Sequence, residues 1–243
     1  MTTSGDTALP RAVELMWGLE QPGGRGPKRA LTLDQILDAA IAVADAEGYA
    51  ALSMNRVAKQ LGFTAMSLYR YVDSKNTLID LLMDRVVGPP PAVADPASWR
   101  SGLEQWARAE FARLGRHPWW LDIPMSRPPM GPNNMAWLET ALGMLAGADV
   151  PEPVKLQLVM NLSMFVVGKR RFLRDLQEEE GGDFASVMTR VLDPQRFPSV
   201  SAALASAAFD DDDADIDWEQ ADFEFGLARL LDGYEVFIAG FGD

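Results

Sequence analysis

The chain has 243 residues, of which 48% are hydrophobic and 23% charged, a balance that supports a buried core and excludes a disordered or collagen-like polypeptide. It contains no cysteine, which excludes disulfide frameworks, cysteine nucleophiles and thiolate metal sites. The longest nearly apolar run, residues 156–168, is too short to cross a bilayer, and no signal-peptide pattern begins the chain. We therefore expect a cytoplasmic protein with no membrane partner.

Charge is distributed unevenly along the chain, whose formal net charge is −13. Residues 25–88 carry 8 basic and 7 acidic side chains, a net charge of +1, whereas residues 89–243 carry 13 and 25, a net charge of −12. An acidic protein repels nucleic acid, but here the acidic excess lies in the C-terminal part. The distribution therefore permits nucleic-acid binding by the first third of the chain without proving it.

Residues 1–30 are rich in proline and glycine and end in the basic residues Arg25, Lys28 and Arg29. This composition predicts a flexible basic arm. The arm serves either as a solubilising leader or as a contact to the minor groove or phosphates of DNA, as such arms do beside helix-turn-helix motifs.

Helix start and stop signals follow from residue 31 onward. Thr32 and Gln35 form a capping-box pair, and an apolar face continues to a stop at Gly48, which predicts a helix at about 33–47.

Two further helices follow, separated by two residues. Ser53 is suited to cap a helix that ends at Gly62, and Thr64 to cap a short helix over about 65–71. A helix of two turns is unstable alone in water, so its stability must come from packing against its neighbours. Two capped helices joined by so short a turn form a helix-turn-helix.

The rest of the chain is also helical in pattern. Ser74 caps a fourth helix that ends at Gly88, and the prolines at 89–91 mark a domain boundary because a helix cannot continue through them. No segment alternates with the period of a strand, so we expect an all-α protein with domains at residues 31–88 and 89–243. In the second domain helices are predicted at about 97–115, 132–147, 152–179, 183–192, 198–208 and 217–240.

Two segments resemble the TetR family of transcriptional regulators. Residues 51–84, ALSMNRVAKQLGFTAMSLYRYVDSKNTLIDLLMD, are similar to its DNA-binding domain, with the SLYRYV recognition helix and a following lysine at the family's spacing. Residues 222–238, DFEFGLARLLDGYEVFI, resemble the closing helix of the tetracycline-repressor-like C-terminal domain. The resemblance implies a helix-turn-helix DNA-binding domain followed by a helical domain for ligand binding and dimerisation.

The short third helix carries side chains that suit DNA. Its apolar residues Leu68 and Val72 continue the buried face, so its tyrosines and arginine point outward, where arginine can bind guanine and tyrosine hydroxyls can bind phosphates. An ordinary packed helix pair without a ligand is the alternative. The resemblance places four residues nearest base edges, namely Asn55, Ala65, Met66 and Arg70, and five nearest phosphates, namely Thr64, Ser67, Tyr69, Tyr71 and Lys75.

Bulky apolar side chains are concentrated between residues 99 and 164, which contain five of the seven tryptophans and six of the twelve methionines. Most of these serve as core, but their density also suits a pocket for an apolar or aromatic molecule, and the resemblance implies a pocket in this part of the fold. His117 either caps a helix end or satisfies a backbone carbonyl, or it contacts the ligand. The expected ligand-binding residues are Trp106, His117, Trp120, Met125, Arg127, Trp137, Met160, Asn161, Met164 and Phe165.

Metal and cofactor sites are not expected. One histidine without cysteine cannot form the usual transition-metal shell, and the carboxylates show no calcium-loop spacing. A basic run serves either as a solvated face with salt bridges or as a site for an anionic ligand group; it consists of Lys169, Arg170, Arg171 and Arg174.

The last helices carry more apolar surface than one amphipathic stripe requires, which indicates a partner helix. The family's solution is a four-helix interface between two chains, and a homodimer matches the symmetry of a palindromic operator. The expected interface residues are Phe223, Leu227, Leu230, Leu231, Tyr234, Phe237 and Ile238.

Together these features favour a ligand-responsive transcriptional repressor, which a small hydrophobic molecule releases from its double-stranded operator DNA. A constitutive or activating regulator on the same scaffold is the alternative. An enzyme is disfavoured because the chain contains no GxSxG, P-loop or dinucleotide fingerprint, and a helical interaction module is a third alternative.

Overall fold

The computed structural model describes residues 8–19, 31–92, 98–124, 128–178, 184–206 and 217–241. These residues form α-helices and short 3₁₀ helices, and no strand occurs among them, as predicted. None of their helices is both long enough and apolar enough to cross a membrane. The 3₁₀ helices are Tyr49–Ala51 and Pro118–Asp122, and the α-helices are α1 (Arg11–Met16), α2 (Leu33–Glu47), α3 (Met54–Leu61), α4 (Ala65–Tyr69), α5 (Lys75–Val87), α6 (Trp99–Leu114), α7 (Pro132–Met144), α8 (Glu152–Glu178), α9 (Phe184–Val191), α10 (Pro198–Ala205) and α11 (Trp218–Ala239).

Side-chain caps fix the helix ends of the N-terminal domain. The backbone N–H of Gln35 donates to Thr32 Oγ1 at 3.2 Å and the Thr32 N–H donates to Gln35 Oε1 at 2.9 Å, which confirms the capping box that begins α2. Ser53 and Ser74 accept from the backbone in the same way at the starts of α3 and α5. Gly62 ends α3 in the left-handed conformation, with φ 73° and ψ 25°, and directs the chain into α4.

Helix α4 depends on packing rather than on capping. Its five residues, Ala65–Tyr69, end earlier than the predicted range. Leu68 and Val72 are fully buried and fix this segment against the core. The predicted cap is wrong, because the Thr64 side chain accepts no backbone N–H; its Oγ1 lies 3.1 Å from Ser67 Oγ instead. The short helix is therefore positioned by the helices beneath it.

Helices α6, α7, α8 and α11 build the core of the C-terminal domain. Phe111 of α6 stacks on Phe223 of α11, with ring centroids 4.1 Å apart. Tyr234 Oη donates to the carbonyl oxygen of Leu158 at 2.8 Å, and burial raises the pKa of Tyr234 to about 12. These contacts hold α11 against α6 and α8, so part of its apolar surface is used within the chain.

Helix α1 lies in the segment that was expected to be a flexible arm, and for these residues the expectation is wrong. Ala12 is buried, and Leu15 and Met16 pack against the core. Trp17 Nε1 donates to the carbonyl oxygen of Met130 at 2.9 Å. A helix of one and a half turns has no stability of its own, so α1 is ordered by its packing against α5 and by this contact.

A buried carboxylate joins the two domains, and we call its contacts the Asp84 joint. Asp84, in the last turn of α5, is only 5% exposed and accepts from the backbone N–H groups of Asn133 at 3.3 Å and Asn134 at 3.0 Å, in the first turn of α7. The side-chain amides of the same two residues donate to it at 3.0 and 2.8 Å. A Cβ atom on Gly131 would lie 2.1 Å from Asp84 Oδ1, so this close approach requires glycine.

Three further side-chain contacts cross between the domains. Trp137 Nε1 of α7 donates to the carbonyl oxygen of Gly88, at the end of α5, at 2.9 Å. In α2, Asp45 Oδ1 accepts from Trp119 Nε1 at 2.6 Å and lies 2.7 Å from His117 Nδ1. The prolines at the domain boundary therefore interrupt the helices of the chain without separating the packing of its two domains.

Replacing Asp84 with alanine is expected to lower the free energy of unfolding by about 3 kcal/mol, because four N–H donors lose a charged acceptor. Chemical denaturation followed by circular dichroism measures the loss. Glu139→Ala, at an exposed position of α7, is the matched control and is expected to change stability by less than about 0.5 kcal/mol. An Asp84→Ala loss as small as that of the control contradicts the importance of the joint.

Candidate nucleic-acid interface and effector region

The outer face of α4 displays large side chains that no other part of the described chain covers. Met66 is 75% exposed and Tyr69 is 44% exposed, and Arg70 is exposed beside them. Ala65 and Tyr71 are partly buried and pack against the core. A short helix with a buried inner face and an exposed methionine, tyrosine and arginine has the shape and chemistry of a major-groove reader.

Polar side chains of α3 and α5 flank this face. Asn55 is exposed on α3, and Lys75 is exposed at the start of α5 with Nζ 5.3 Å from the ring centroid of Tyr49. Thr64 and Ser67 lie at the first turn of α4. These groups surround α4 with hydrogen-bond donors suited to phosphate oxygens.

Sequence reasoning missed two exposed residues of the same motif. Lys59 follows Asn55 by four residues on α3 and therefore lies on the same helical face. Phe63, in the turn between α3 and α4, is 38% exposed. The i+4 spacing could have identified Lys59 as a further cation near the reader helix. Arg56 adds no unpaired cation, because its guanidinium is paired with Glu47. The pairing holds the pKa of the Glu47 carboxyl below its usual value.

Three of the predicted DNA contacts, Arg25, Lys28 and Arg29, lie outside the described residues. The same holds for two predicted ligand contacts, Met125 and Arg127.

Paired tryptophans lie at the centre of the predicted effector region. Trp106 and Trp137 are both buried, and their rings meet edge to face with centroids 5.6 Å apart. Trp106 Nε1 donates to the carbonyl oxygen of Trp137 at 3.0 Å, while Trp137 donates to Gly88 at the end of α5. The pair therefore connects the interior of the C-terminal domain to the end of α5.

Trp120 lies in the 3₁₀ helix that follows α6, which packs against α6 and α8. It is 8% exposed and lines a cleft of about 10 Å³ together with Leu114 and His117. A second cleft of about 30 Å³ lies between α1, α5 and the start of α7. These two clefts hold about one to two water molecules each, so a larger ligand enters either of them only if side chains move. The His117 side chain does not cap the 3₁₀ helix that it precedes. Its Nδ1 lies 2.7 Å from the Asp45 carboxylate instead, a partner that was not predicted.

A carboxyl group is sealed between α6 and α8. Glu110 Oε1 accepts from Ser163 Oγ at 2.7 Å, and burial raises the pKa of Glu110 to about 8. Its second oxygen, Oε2, is closed off from solvent and has no hydrogen-bond partner among the described residues. No pattern in the sequence marks this carboxyl as buried, because glutamate is a common residue on exposed helix faces.

Three of the predicted ligand-binding residues lie on the exposed side of α8 in this chain, outside its buried interior. Met160 is 45% exposed and Met164 is 67% exposed, and Asn161 is exposed between them. Helical periodicity shows which residues share a face, but it does not show which face points inward. Phe165 is partly buried and stacks against Phe223 with centroids 5.8 Å apart.

The basic run of α8 forms ion pairs and hydrogen bonds within the chain, which matches the first of its two predicted roles, a face with salt bridges. Lys169 pairs with Asp222, and Arg170 lies 3.9 Å from Glu219. Arg171 donates to the carbonyl oxygen of Leu121 at 2.7 Å. Arg174 pairs with Asp122 and Asp175 at 2.7 and 2.6 Å.

Four of the seven predicted dimer contacts are buried within their own chain and cannot form an intermolecular surface. Phe223, Leu227, Leu231 and Tyr234 are each less than 8% exposed and pack against α6 and α8. Leu230 and Ile238 are partly buried against the same core. Phe237 alone of the seven is substantially exposed, at 45%.

Two apolar stripes remain exposed on the long helices. The outer stripe of α8 repeats every four residues, and the outer stripe of α11 follows the same spacing around an exposed glycine. The α8 stripe consists of Leu156, Met160, Met164, Gly168, Phe172 and Leu176, and the α11 stripe of Phe225, Gly233, Val236 and Phe237. Arg229, which pairs with Asp232, lies between Phe225 and Gly233. No cluster of three or more His, Cys, Asp or Glu side chains within the described ranges could hold a metal ion.

Two family models match the chain. Residues 36–82 match the model described as bacterial regulatory proteins, tetR family, and residues 91–238 match the tetracyclin repressor-like C-terminal domain. The two matches divide at the prolines that follow α5.

Curated relatives and solved structures agree with these matches. The HTH-type transcriptional repressor DrrR1 of Streptomyces coeruleorubidus is 39% identical over 98% of this chain and 89% of its own length. An HTH-type transcriptional regulator of Saccharopolyspora erythraea is 35% identical over 68% of this chain and 69% of its own. The structure of ActR from Streptomyces coelicolor in complex with actinorhodin superimposes with a TM-score of 0.72 at 26% identity, covering 88% of this chain and all of ActR. The chain therefore belongs to the TetR family of bacterial transcriptional regulators.

Proposed function

We propose that the protein is a transcriptional repressor that binds a palindromic operator as a homodimer and is released by a small hydrophobic molecule. The observation that carries the proposal is the outer face of α4, where Met66, Tyr69 and Arg70 are exposed on a helix whose inner face is buried. Such large apolar and aromatic side chains are unusual on a solvent-exposed helix face, whereas the major groove can bind them.

In the proposed complex α4 enters the major groove. Base edges are contacted by four residues: Asn55, Ala65, Met66 and Arg70. Phosphates are contacted by Thr64, Ser67, Tyr69, Tyr71 and Lys75. Lys59 also contacts a phosphate, because it lies on the same face of α3 as Asn55. Arg25, Lys28 and Arg29 reach the duplex from the N-terminal arm.

The proposed dimer forms through the outer stripes of α8 and α11. Both stripes expose apolar side chains on long helices, and each contains a glycine that permits close approach of a partner helix. Pairing the two stripes with their copies in a second chain gives a four-helix interface, and its twofold symmetry matches a palindromic operator.

The proposed effector binds in the C-terminal domain near Trp106, Trp120 and Trp137. ActR, which shares this fold, has been solved in complex with actinorhodin. Trp137 connects this region to Gly88 at the end of α5, so displacement of its ring changes the support of the DNA-binding domain. An effector that binds better to the displaced arrangement lowers operator affinity by that difference in binding free energy.

A constitutive regulator on the same scaffold is the alternative function. It is favoured by the small size of the two clefts described above, neither of which holds more than about two water molecules.

The DNA-binding face is tested by two substitutions with different expected signatures. With duplexes selected by the wild-type protein from a random library, Arg70→Ala is expected to weaken binding by about 1–3 kcal/mol and to relax the preference at one base pair per half-site. Lys75→Ala is expected to weaken binding to all sequences alike and to lower the salt slope by about 1 per protomer. Arg190→Ala, on exposed α9, is the control and leaves both quantities unchanged. An unchanged sequence preference in Arg70→Ala contradicts the assigned face.

The dimer interface is tested by placing a charge in the α8 stripe. Met164→Glu is expected to raise the dimer dissociation constant at least a hundredfold, about 2.7 kcal/mol, because the carboxylate is desolvated between apolar helices. Sedimentation at micromolar concentration measures this change. Met66→Glu is the matched control, since it leaves the dimer intact and removes DNA binding. Wild-type protein that sediments as a monomer under these conditions argues against the interface.

Effector release is tested by titrating planar aromatic compounds against the protein bound to its selected duplex. Trp137→Phe retains a ring but cannot donate to Gly88, so we expect operator affinity within a few fold of wild type and a tenfold higher compound concentration for half release, about 1.4 kcal/mol of coupling. Trp99→Phe, at the start of α6, is the control and behaves as wild type. If no compound both perturbs tryptophan fluorescence and releases the duplex, the constitutive regulator is the better description.

A further inference from the structure

Two buried polar atoms in the effector region have no hydrogen-bond partner among the described residues: Glu110 Oε2 and Trp120 Nε1. The first is an acceptor and the second a donor. Buried polar atoms are nearly always hydrogen-bonded in native proteins, because burying one without a partner costs free energy. Two such atoms in the domain that carries the proposed effector site therefore require an explanation.

The two atoms lie on adjoining elements. Trp106, Glu110 and Leu114 follow one another at four-residue intervals on α6 and share one face of that helix. Trp106 contacts Trp137, and Leu114 lines the small cleft together with Trp120, whose 3₁₀ helix packs against α6 and α8. Along α6, Glu110 therefore lies one turn from Trp106, which contacts Trp137, and one turn from Leu114, which lines the cleft.

The Glu110 carboxyl is held in place by a hydrogen bond but has no cationic partner among the described residues. Ser163 Oγ donates to Oε1 and so fixes the orientation of the group, leaving Oε2 open to a second partner. None of the ion pairs found within the described ranges includes Glu110, and burial raises its pKa to about 8. A buried carboxyl without a cation reduces stability, and an apolar residue of similar size would pack there at lower cost.

We propose that Glu110 and Trp120 form the polar part of the effector site, and that the effector combines an ammonium group with a carbonyl-bearing planar aromatic ring. The ammonium donates to Glu110 Oε2, and Trp120 Nε1 donates to the carbonyl oxygen. This inference rests on the proposed effector function and adds the chemical class of the effector. The tryptophan rings supply the apolar contact for its planar part.

The inference is tested by calorimetry on the full-length protein with two matched probes, 2-(aminomethyl)anthraquinone and 2-(hydroxymethyl)anthraquinone. They share the ring and both carbonyls and differ only in the ammonium group. Wild-type protein is expected to bind the amine at least tenfold more tightly than the alcohol. Glu110→Gln is expected to reduce that ratio to less than threefold, and Trp120→Phe to weaken both probes by a similar factor.

The control variant is Glu104→Gln, which makes the same substitution on α6 at a carboxylate paired with Arg100 and Arg108; it is expected to keep the full preference for the amine. Glutamine at position 110 can still accept from Ser163, and a thermal melt checks that the variant is folded. An amine preference that survives Glu110→Gln overturns the inference, as does equal binding of both probes or binding of neither by wild type.

The results that test effector release can be distinguished from the results that test the role of Glu110. If the alcohol binds as tightly as the amine and releases the selected duplex, the effector function stands and the role of Glu110 does not. If the amine binds with the expected preference and the duplex stays bound, the polar site stands and effector release fails.

Discussion

The arrangement of the two domains depends on one carboxylate, that of Asp84. It accepts four N–H groups from Asn133 and Asn134, and the backbone pair among them belongs to the first turn of α7. The negative charge also lies at the positive end of the α7 dipole, which adds to the hydrogen bonds. Because Asp84 is on α5, the last helix of the DNA-binding domain, the position of α4 relative to the C-terminal domain follows from this contact.

A second group of contacts makes the connection between the domains less free to rotate. Asp45 of α2 contacts His117 and Trp119, while Trp137 contacts the end of α5. All three side chains belong to the region where the effector is proposed to bind. A molecule that displaced them would therefore change contacts to two helices of the DNA-binding domain at once, and this gives a bound effector a physical means of moving α4.

Local signals predicted the helices of the DNA-binding domain well, because caps and stops act over a few residues. Thr32, Ser53, Gly62 and Ser74 each mark a helix end where the structure has one. Periodicity could not decide what covers an apolar face: Phe223 is buried within the chain while Phe225, two residues later, is 67% exposed. Helix α1 was missed because its six residues owe their conformation to distant partners. The sealed Glu110 was missed because burial of a single polar residue is a property of tertiary packing.

The division of labour within α4 has a consequence for how the protein can change over evolutionary time. Leu68 and Val72 carry the attachment of this helix to the core, while Met66, Tyr69 and Arg70 contribute little to it. Substitutions at exposed positions usually alter stability by less than about 0.5 kcal/mol. The residues proposed to face the duplex can therefore diverge after gene duplication at little cost to folding, which would let copies of one scaffold acquire separate sets of target promoters.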